Sequence, residues 1–313
     1  MTQDLEDRNT ATVVSETAIL SLVMILSLAG NLLVCFAVYK SPRLRCPSNY
    51  YIISLALSDI LQALCTMPLS IVYLAVGRWP FGTSLCYFFA VVKYSLSKIS
   101  IYTMVLMAVN RYYKIVKPAK YQTTFKKRFI VITASLVWLF PPLTPLSQHL
   151  LSSPMPKNNK VSLYAGTTPS VRYPHIYSPH VFALFSYNIL LLENLQRCQG
   201  AQCKCFMAEF QCGGCKVSKT LFATVVGFVS LWMPANCIYL YSVLSPVPRE
   251  LALFATMLVF STSCVNPFIY GFMNRAFKKE FKKYLGMKKK RSIDAESSPK
   301  REVFFVNSKT IQS

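Results

Sequence analysis

Few residues of this sequence have the types and spacing that a catalytic site or a metal site requires. The three histidines, His149, His175 and His180, are accompanied by no nucleophile and no metal-binding constellation, so we expect no enzymatic activity. The polar residues that stand out lie instead inside long apolar stretches, among them Asn31 and Asp59. A polar group in an apolar segment is costly to bury and is usually functional. The class of protein is therefore best inferred from the apolar stretches that contain these polar residues.

The composition is typical of an integral membrane protein. Apolar residues make up 53% of the 313 residues and charged residues 15%, whereas soluble domains average about 25% charged residues. A disordered chain would contain far fewer large apolar residues. The net charge of +22 does not indicate a nucleic-acid binder, because the basic residues collect between long uncharged stretches and do not cover a folded surface. We expect the partner of these stretches to be a lipid bilayer and no nucleic acid to bind.

Seven stretches are long and apolar enough to cross a bilayer, whose hydrocarbon core of about 30 Å requires about 20 helical residues. Numbered span 1 to span 7, they are Thr17–Tyr39, Asn49–Tyr73, Ser84–Tyr112, Arg128–Ser147, Ile176–Gln196, Ser218–Ser242 and Glu250–Phe272. Seven in succession, joined by short polar or basic links, are poorly explained as buried helices of a soluble protein. The sequence predicts an all-α membrane protein, a bundle of seven transmembrane helices.

The basic residues predict the orientation of the bundle. Of the 34 Lys and Arg residues, 26 lie after span 7, in the links between spans 1 and 2, 3 and 4, and 5 and 6, or within two residues of the ends of the spans that border these links. Basic links favour the cytoplasmic side of a membrane. We therefore expect an extracellular amino terminus at residues 1–16 and a multi-pass protein of the plasma membrane.

An amphipathic helix is predicted after span 7, at residues 273–286. Phe277, Phe281 and Leu285 recur there at four-residue steps, with lysines between them. Such a helix suits the inner surface of the membrane, where lysines meet anionic lipid. The lysine-rich sequence that follows has no apolar face, so residues 287–313 are predicted to be a disordered cytoplasmic tail. The predicted organisation is an amino-terminal segment, a seven-span domain at 17–272, a surface helix and a tail.

Short motifs stand in order along the spans. They are Gly30-Asn31 in span 1, the run that ends at Asp59 in span 2, Asn110-Arg111-Tyr112 in span 3, Trp138 in span 4, Trp232-Met233-Pro234 in span 6 and Asn266-Pro267 with Tyr270 in span 7. Each alone is weak, but together they resemble the signature set of rhodopsin-like (class A) G-protein-coupled receptors, from about Gly30 to Leu285. Within that class, the Asn-Arg-Tyr variant and the sequence after Tyr270 are similar to melatonin-receptor-type sequences.

This resemblance implies a receptor that couples an extracellular small-molecule or peptide ligand to a heterotrimeric G protein, with arrestin and a receptor kinase as further partners. The residues that it implies for G-protein coupling and the activation switch are Asn110, Arg111, Tyr112, Tyr187, Phe228, Pro234, Asn266, Pro267 and Tyr270. Pro234 and Pro267 each remove a helical hydrogen bond, so we expect hinges there between two packing arrangements of the helices. The alternative for Trp232, just before the first hinge, is a tryptophan that only fills space.

The sequence departs from the family pattern next to Arg111. Most relatives carry an acid immediately before this arginine, whereas Asn110 cannot form that ion pair. A second common restraint, an acid twenty residues before the proline of span 6, is replaced by Gly214. We therefore predict an inactive state that is weakly held, with measurable basal signalling.

The resemblance also implies a sodium site in the middle of the bundle. Its members would be Asp59, Asn31, Ser100, Thr262, Ser263 and Asn266. These short oxygen and amide groups suit a small, hard cation. The alternative is a protonated Asp59 that is hydrogen-bonded to Asn266. No other cofactor is expected.

The ligand-binding residues implied by the resemblance are Lys93, Ser97, Trp232 and Phe260. Lys93 stands where amine receptors carry an acid, which disfavours a cationic amine. Phe260 stands where opsins carry their retinal-binding lysine, which disfavours retinal. Lys93 would suit an anionic or carbonyl-bearing ligand, or else it extends outward to the lipid headgroups.

The cysteines also depart from the pattern. The family ties Cys86 by a disulfide to the second outer loop, but no cysteine lies between Cys86 and Cys198, so Cys86 is free or pairs elsewhere, or this loop is abnormal. The link before span 6 contains Cys203, Cys205, Cys212 and Cys215. These cysteines are either thiols near the membrane, free or palmitoylated, or zinc ligands.

Two other functions remain open from the sequence. Because the second outer loop and span 5 are unusual, the chain would also suit a non-signalling decoy or scaffold with a receptor fold. A transporter of ions or solutes is a more remote alternative. The sequence has no internal repeat, and apart from Asp59 it shows no cluster of ionisable residues at the centre of the membrane.

Overall fold

The computed structural model of the chain describes residues 8–151, 214–245 and 247–286. Within these ranges the regular elements are all helices, as the sequence predicts. For Arg111 and Tyr112 only the backbone is described. Span 5 with Tyr187, the four cysteines before span 6 and the tail lie outside the described side chains.

The six described spans are all helical. They are Thr10–Lys40 for span 1, Asn49–Val76 for span 2, Gly82–Val116 for span 3, Lys127–Leu151 for span 4, Gly214–Leu244 for span 6 and Arg249–Met273 for span 7. Among the described residues, four helices have the length and apolar content to cross a membrane, namely Thr10–Lys40, Asn49–Val76, Gly82–Asn110 and Arg249–Met273. A shorter apolar helix, Val226–Tyr239, lies within span 6. The end of the bundle at which span 1 begins is called the N-terminal end below, and the other the basic end.

The helix ends follow local capping rules. The side chain of Asn9 accepts a hydrogen bond of 3.1 Å from the backbone N–H of Thr12, which starts span 1. Gly77 ends span 2 with a φ of 77°, a left-handed conformation that glycine adopts without strain. Asn274 separates span 7 from the terminal helix Arg275–Tyr284 and caps that helix through a 3.1 Å hydrogen bond from the N–H of Ala276. The predicted amphipathic helix is therefore a distinct element.

Span 2 contains a π-helical turn, Gln62–Thr66, between the α-helices Asn49–Leu61 and Met67–Val76. Pro68 lies in the first turn of the second helix, and it has no N–H to bond to the preceding turn. A widened turn before a proline accommodates that loss. The apolar pattern of span 2 predicts a continuous helix and gives no sign of this turn.

The outer surface of the bundle differs from that of a soluble protein, although the interior also contains an apolar core. Large apolar side chains such as Leu22, Ile25 and Phe254 are exposed on the outer surface of the spans. Polar side chains such as Ser58 and Asp59 are almost completely buried inside. Exposed apolar surface on this scale requires a covering phase, and a lipid bilayer provides it.

Interhelical hydrogen bonds connect spans 2 and 4 near the basic end. The indole N–H of Trp138 donates to the hydroxyl of Ser54 over 2.9 Å. The hydroxyls of Tyr51 and Thr133 are 2.8 Å apart. Because lipid offers no competing partners, such polar contacts help to fix the packing of neighbouring helices.

Two glycines allow close contact between helices. A Cβ atom at Gly30 of span 1 would lie 2.8 Å from the side chain of Pro267 in span 7. A Cβ atom at Gly227 of span 6 would lie 3.2 Å from Ile269 and 3.3 Å from Val265, both in span 7. Small residues let helix backbones approach in a membrane, so span 7 packs tightly against spans 1 and 6.

Candidate functional site

The centre of the bundle contains a buried carboxyl group. Asp59 of span 2 is 2% exposed and accepts a 2.9 Å hydrogen bond from the side-chain amide of Asn266 in span 7. Asn266 is the residue before Pro267, which has no N–H to donate. The bond therefore connects span 2 to the proline-containing segment of span 7.

A second buried amide connects span 1 to the same region. The side-chain amide of Asn31 donates to the carbonyl oxygens of Ser27 and Ser263, both over 2.9 Å. Its side-chain oxygen is buried and has no hydrogen-bond partner among the described residues. An orphaned oxygen of this kind is suited to a cation or a water molecule.

Two of the predicted sodium-site hydroxyls have partners of their own, and the third, that of Ser263, is buried without a hydrogen-bond partner among the described residues. The hydroxyl of Ser100 lies 3.0 Å from that of Ser58 and also donates to the carbonyl of Leu96 over 3.1 Å. The hydroxyl of Thr262 donates to the carbonyl of Val259 over 2.6 Å, within its own helix. The oxygens that fit a hard cation best are therefore the carboxylate of Asp59 and the two orphaned oxygens, the amide oxygen of Asn31 and the hydroxyl of Ser263.

In span 6 two rings lie next to the proline. The rings of Phe228 and Trp232 are stacked, with centroids 5.9 Å apart and an interplanar angle of 15°, and both residues are 4% exposed. Pro234 lies within the same helix. The side-chain amide of Asn236 donates to the carbonyl of Trp232 over 2.7 Å. This stack therefore lies directly beside the backbone position that lacks a helical hydrogen bond.

At the basic end, span 7 contacts the terminal helix. The ring of Tyr270 packs on the ring of Phe277, with centroids 5.7 Å apart. Both side chains are buried, and Phe281 packs against Gly271. Of the apolar face predicted for the terminal helix, Phe277 and Phe281 thus lie on span 7. Leu285 does not join them, because the helix ends at Tyr284 and Leu285 is 57% exposed. The lysines of the helix remain outside.

Asn110 lies near the end of span 3, where the family has an acid. Its side chain is 1% exposed, and its amide nitrogen has no hydrogen-bond partner among the described residues. The neighbouring Arg111 continues the helix. The predicted role of Arg111 and Tyr112 stays a prediction, because their side chains lie outside the described residues.

The predicted ligand-binding lysine lies inside the bundle. Lys93 is 5% exposed, so the outward extension to lipid headgroups considered above does not occur in the structure. Its ammonium nitrogen lies 4.9 Å from the ring centroid of Phe260 and 5.8 Å from that of Phe89. Ser97, one turn further along span 3, donates its hydroxyl to the backbone carbonyl of Lys93 over 2.9 Å. Lys93 and Phe260, predicted together from the resemblance, are therefore in contact.

An ion-pair network at the N-terminal end was missed by the sequence analysis. The carboxylate of Glu16 in span 1 lies 2.7 Å from Arg8 and 2.7 Å from Arg249, the first residue of span 7. Arg8 also donates to the carbonyl of Leu74 near the end of span 2 over 2.5 Å. With this network the helix of span 1 begins at Thr10, seven residues before the predicted apolar window. A lone acid near the start of an apolar span was the available signal.

The thiol of Cys86 is free. The sequence analysis left its disulfide open, and the described residues contain no disulfide partner for it.

The chain matches the family 7 transmembrane receptor (rhodopsin family) over residues 30–270. The chain belongs to this family of seven-transmembrane receptors.

Individual relatives are receptors of several kinds. The chain is 30% identical to the RYamide receptor of Drosophila melanogaster over 286 residues, which cover 83% of this chain and 60% of that receptor. It is 28% identical to the neuropeptide FF receptor 2 of Mus musculus, over 83% of this chain and 70% of that receptor. It is 29% identical to the melatonin receptor type 1B of Mus musculus, over 82% of this chain and 73% of that receptor. The similarity to melatonin receptors is thus confirmed, but peptide receptors are similar to the same degree.

Proposed function

We propose that this chain is a cell-surface receptor, with its amino terminus outside the cell, that couples an extracellular ligand to activation of a heterotrimeric G protein. Membership of the rhodopsin family supports the class. The matched region spans 60% of the length of the RYamide receptor. The activity of the whole protein is therefore part of the proposal.

One observation carries this proposal. The two helices that contain the family's proline motifs, spans 6 and 7, pack along each other, and the close approach at Gly227 shows how tightly. Each proline lies beside a buried contact, the Phe228–Trp232 stack in span 6 and the Asp59–Asn266 hydrogen bond in span 7. Two hinged helices in tight contact have the form of a bistable element, which a ligand shifts by binding one arrangement more strongly.

The orientation follows from charge. The basic end has Lys40, Arg43 and Arg45 after span 1, and lysines on the outer face of the terminal helix. Basic residues at this end favour its placement in the cytoplasm, so the G protein, arrestin and a receptor kinase would bind there. Arg111 near that end of span 3 is the proposed contact with the G protein, with Tyr112 beside it.

The ligand would bind nearer the N-terminal end, in contact with Lys93, Ser97, Phe260 and Trp232. A ligand that presses on Trp232 changes its stacking on Phe228 and thereby the balance of the hinge at Pro234. Tyr187 of span 5, which the family resemblance assigns to the activation switch, would act together with these residues. A small molecule and a peptide are both compatible with this placement.

A sodium ion is proposed between Asp59 and Asn31, with Ser100, Thr262, Ser263 and Asn266 around it. The orphaned oxygen of Asn31 supports this proposal, because a cation would provide the missing partner. The ion would neutralise the buried carboxylate and favour the arrangement in which span 7 stays close to span 2. The protonated form of Asp59 remains the alternative.

The experiment that tests the function begins with an epitope tag at the amino terminus, read on intact cells by antibody. Second-messenger assays for the main G-protein classes then follow in the same cells, with Arg111→Ala as the matched control at equal surface level. We expect surface staining and a second-messenger signal that Arg111→Ala abolishes. Surface staining with no Arg111-dependent signal would instead favour the decoy, and an amino terminus on the cytosolic side would contradict the orientation.

A further inference from the structure

Lys93 presents a buried amine without a polar partner. Its side chain lies about 16 Å along span 3 from the start of the helix at Gly82, and the residue is 5% exposed. Its nitrogen has no hydrogen-bond acceptor among the residues that the structure describes. An ammonium that has lost its water and gained no acceptor is unfavourable in proportion to its burial.

The neighbours of this amine are aromatic. Phe260 of span 7 and Phe89 of span 3 lie 4.9 Å and 5.8 Å from the nitrogen, measured to the ring centroids. Ring faces attract a cation, but they replace only part of the hydration that it loses on burial. Phe260 is itself fully buried and packs with Leu253 and Met67. The ring neighbours of the amine thus give it apolar walls.

The described carboxylates are all engaged elsewhere. Those in the described ranges are Glu16, Asp59, Glu250 and Glu280. Glu16 and Glu250 pair with Arg249 at the N-terminal end, and Asp59 binds Asn266. Glu280 accepts a hydrogen bond from Ser41 at the basic end. In this part of the chain, the protein therefore supplies no counter-ion to Lys93.

We propose that Lys93 binds the carboxylate of an acidic ligand whose adjoining atoms are apolar and lie against Phe260 and Phe89. This inference names the ligand class of the proposed receptor and rests on that function. A single ammonium matches the single charge of a carboxylate, whereas a phosphate carries about −1.5 to −2 charges and needs several donors. The bond between ligand and Lys93 supplies the acceptor that the amine lacks and neutralises the buried charge.

The first experiment uses matched pairs of ligands. The full chain is purified in detergent, and its thermal unfolding is measured with a panel of alkyl, aryl and indolyl carboxylates, each compared with its own primary amide. The amide keeps the shape and removes the charge. We expect at least one carboxylate to raise Tm in a concentration-dependent way, and its amide to leave Tm unchanged.

Variants then test the residue. We expect Lys93→Gln to abolish the stabilisation by the carboxylate and Lys93→Arg to retain a part of it. Lys40→Gln serves as the control. It removes an exposed lysine at the basic end of span 1, far along the bundle from Lys93, and this variant should respond to the carboxylate as the native chain does. A panel without any stabilising carboxylate, an equal response to the amide, or a response that persists in Lys93→Gln would overturn the proposal. A rise in Tm with choline chloride alone, a sodium-free chloride salt, matched by no carboxylate, would assign the site to a simple anion and overturn it as well.

A second measurement needs no ligand. Because the proposed charge lacks a counter-ion in the empty receptor, Lys93→Met should raise the Tm of the ligand-free protein. If Lys93 had a structural partner, the same substitution would lower Tm, which is the contrary result. These readouts are independent of the G protein. A receptor that binds carboxylates through Lys93 and does not signal would contradict the proposed function alone, whereas Arg111-dependent signalling without carboxylate binding would contradict this inference alone.

Discussion

Asn266 of span 7 donates a 2.9 Å hydrogen bond to the carboxyl group of Asp59, 207 residues earlier in span 2. The bond lies inside the bundle, where both residues are 2% exposed. It joins a fixed part of span 2 to the residue that precedes a helical proline. A change in the charge of Asp59 is therefore expected to alter the position of span 7.

Sodium should stabilise the native receptor through this carboxylate. When sodium chloride is replaced by choline chloride at constant ionic strength, we expect the Tm of the native chain to fall, because the cation neutralises a buried charge. Asp59→Asn removes that charge and should make Tm insensitive to sodium. Equal sodium dependence in both proteins would contradict the site. An absence of sodium dependence in the native chain would favour the protonated form of Asp59.

The ion-pair network at the N-terminal end should contribute to stability. Glu16→Gln leaves Arg8 and Arg249 without their shared carboxylate, and breaking a buried pair costs about 3–5 kcal/mol. Because this network is partly exposed, we expect the loss of stability in Glu16→Gln to lie at the lower end of that range. We expect a clear fall of Tm in detergent.

Glu250→Gln is the matched control for that substitution. The side chain of Glu250 is 74% exposed and lies 3.2 Å from the same Arg249, and exposed pairs contribute little. A loss of stability in Glu250→Gln as large as that in Glu16→Gln would show that the buried network has no special role.

The contact between spans 1 and 7 should tolerate no side chain at Gly30. A Cβ there would lie 2.8 Å from Pro267, so Gly30→Val should destabilise the bundle by about 1–3 kcal/mol through overpacking. Thermal unfolding in detergent measures this change. Ala29→Val, at an exposed position of the same helix, should leave Tm nearly unchanged. Equal Tm values for the two variants would mean that spans 1 and 7 are not in close contact at this position.

Basal signalling should depend on Asn110. Because Asn110 is buried at the end of span 3 and cannot pair with Arg111 as an acid would, Asn110→Asp should lower ligand-free signalling at equal surface expression. Second-messenger output without ligand is the measurement. Asn110→Ala introduces no acid and should not lower the output. Unchanged signalling in Asn110→Asp would refute this interpretation of the sequence.

The sequence predicted the helices and the polar residues inside them because these depend on local patterns. Apolar length predicted every described span, and four-residue spacing predicted that Phe277 and Phe281 share a buried face. The resemblance also placed Asp59 with Asn266, and the structure joins them. The helices and the buried face are read from composition and spacing over one helix, whereas the pairing of Asp59 with Asn266 was implied by the resemblance alone.

The other features depend on contacts between distant helices. The pairing of Glu16 with Arg249 joins residues 233 positions apart, and no local pattern reveals it. The choice between an inward and an outward Lys93 depends on Phe260, which belongs to another helix. A long lysine side chain allows both directions, so the sequence left the choice open.

The most direct test of the central claim is GTP exchange on purified heterotrimeric G proteins by the receptor in lipid nanodiscs. We predict that the native chain accelerates exchange over receptor-free discs even without ligand, at least for one G-protein class, and that Arg111→Ala returns the rate to background. Exchange at background for every class with correctly folded native receptor, or an acceleration that Arg111→Ala leaves intact, would contradict the account.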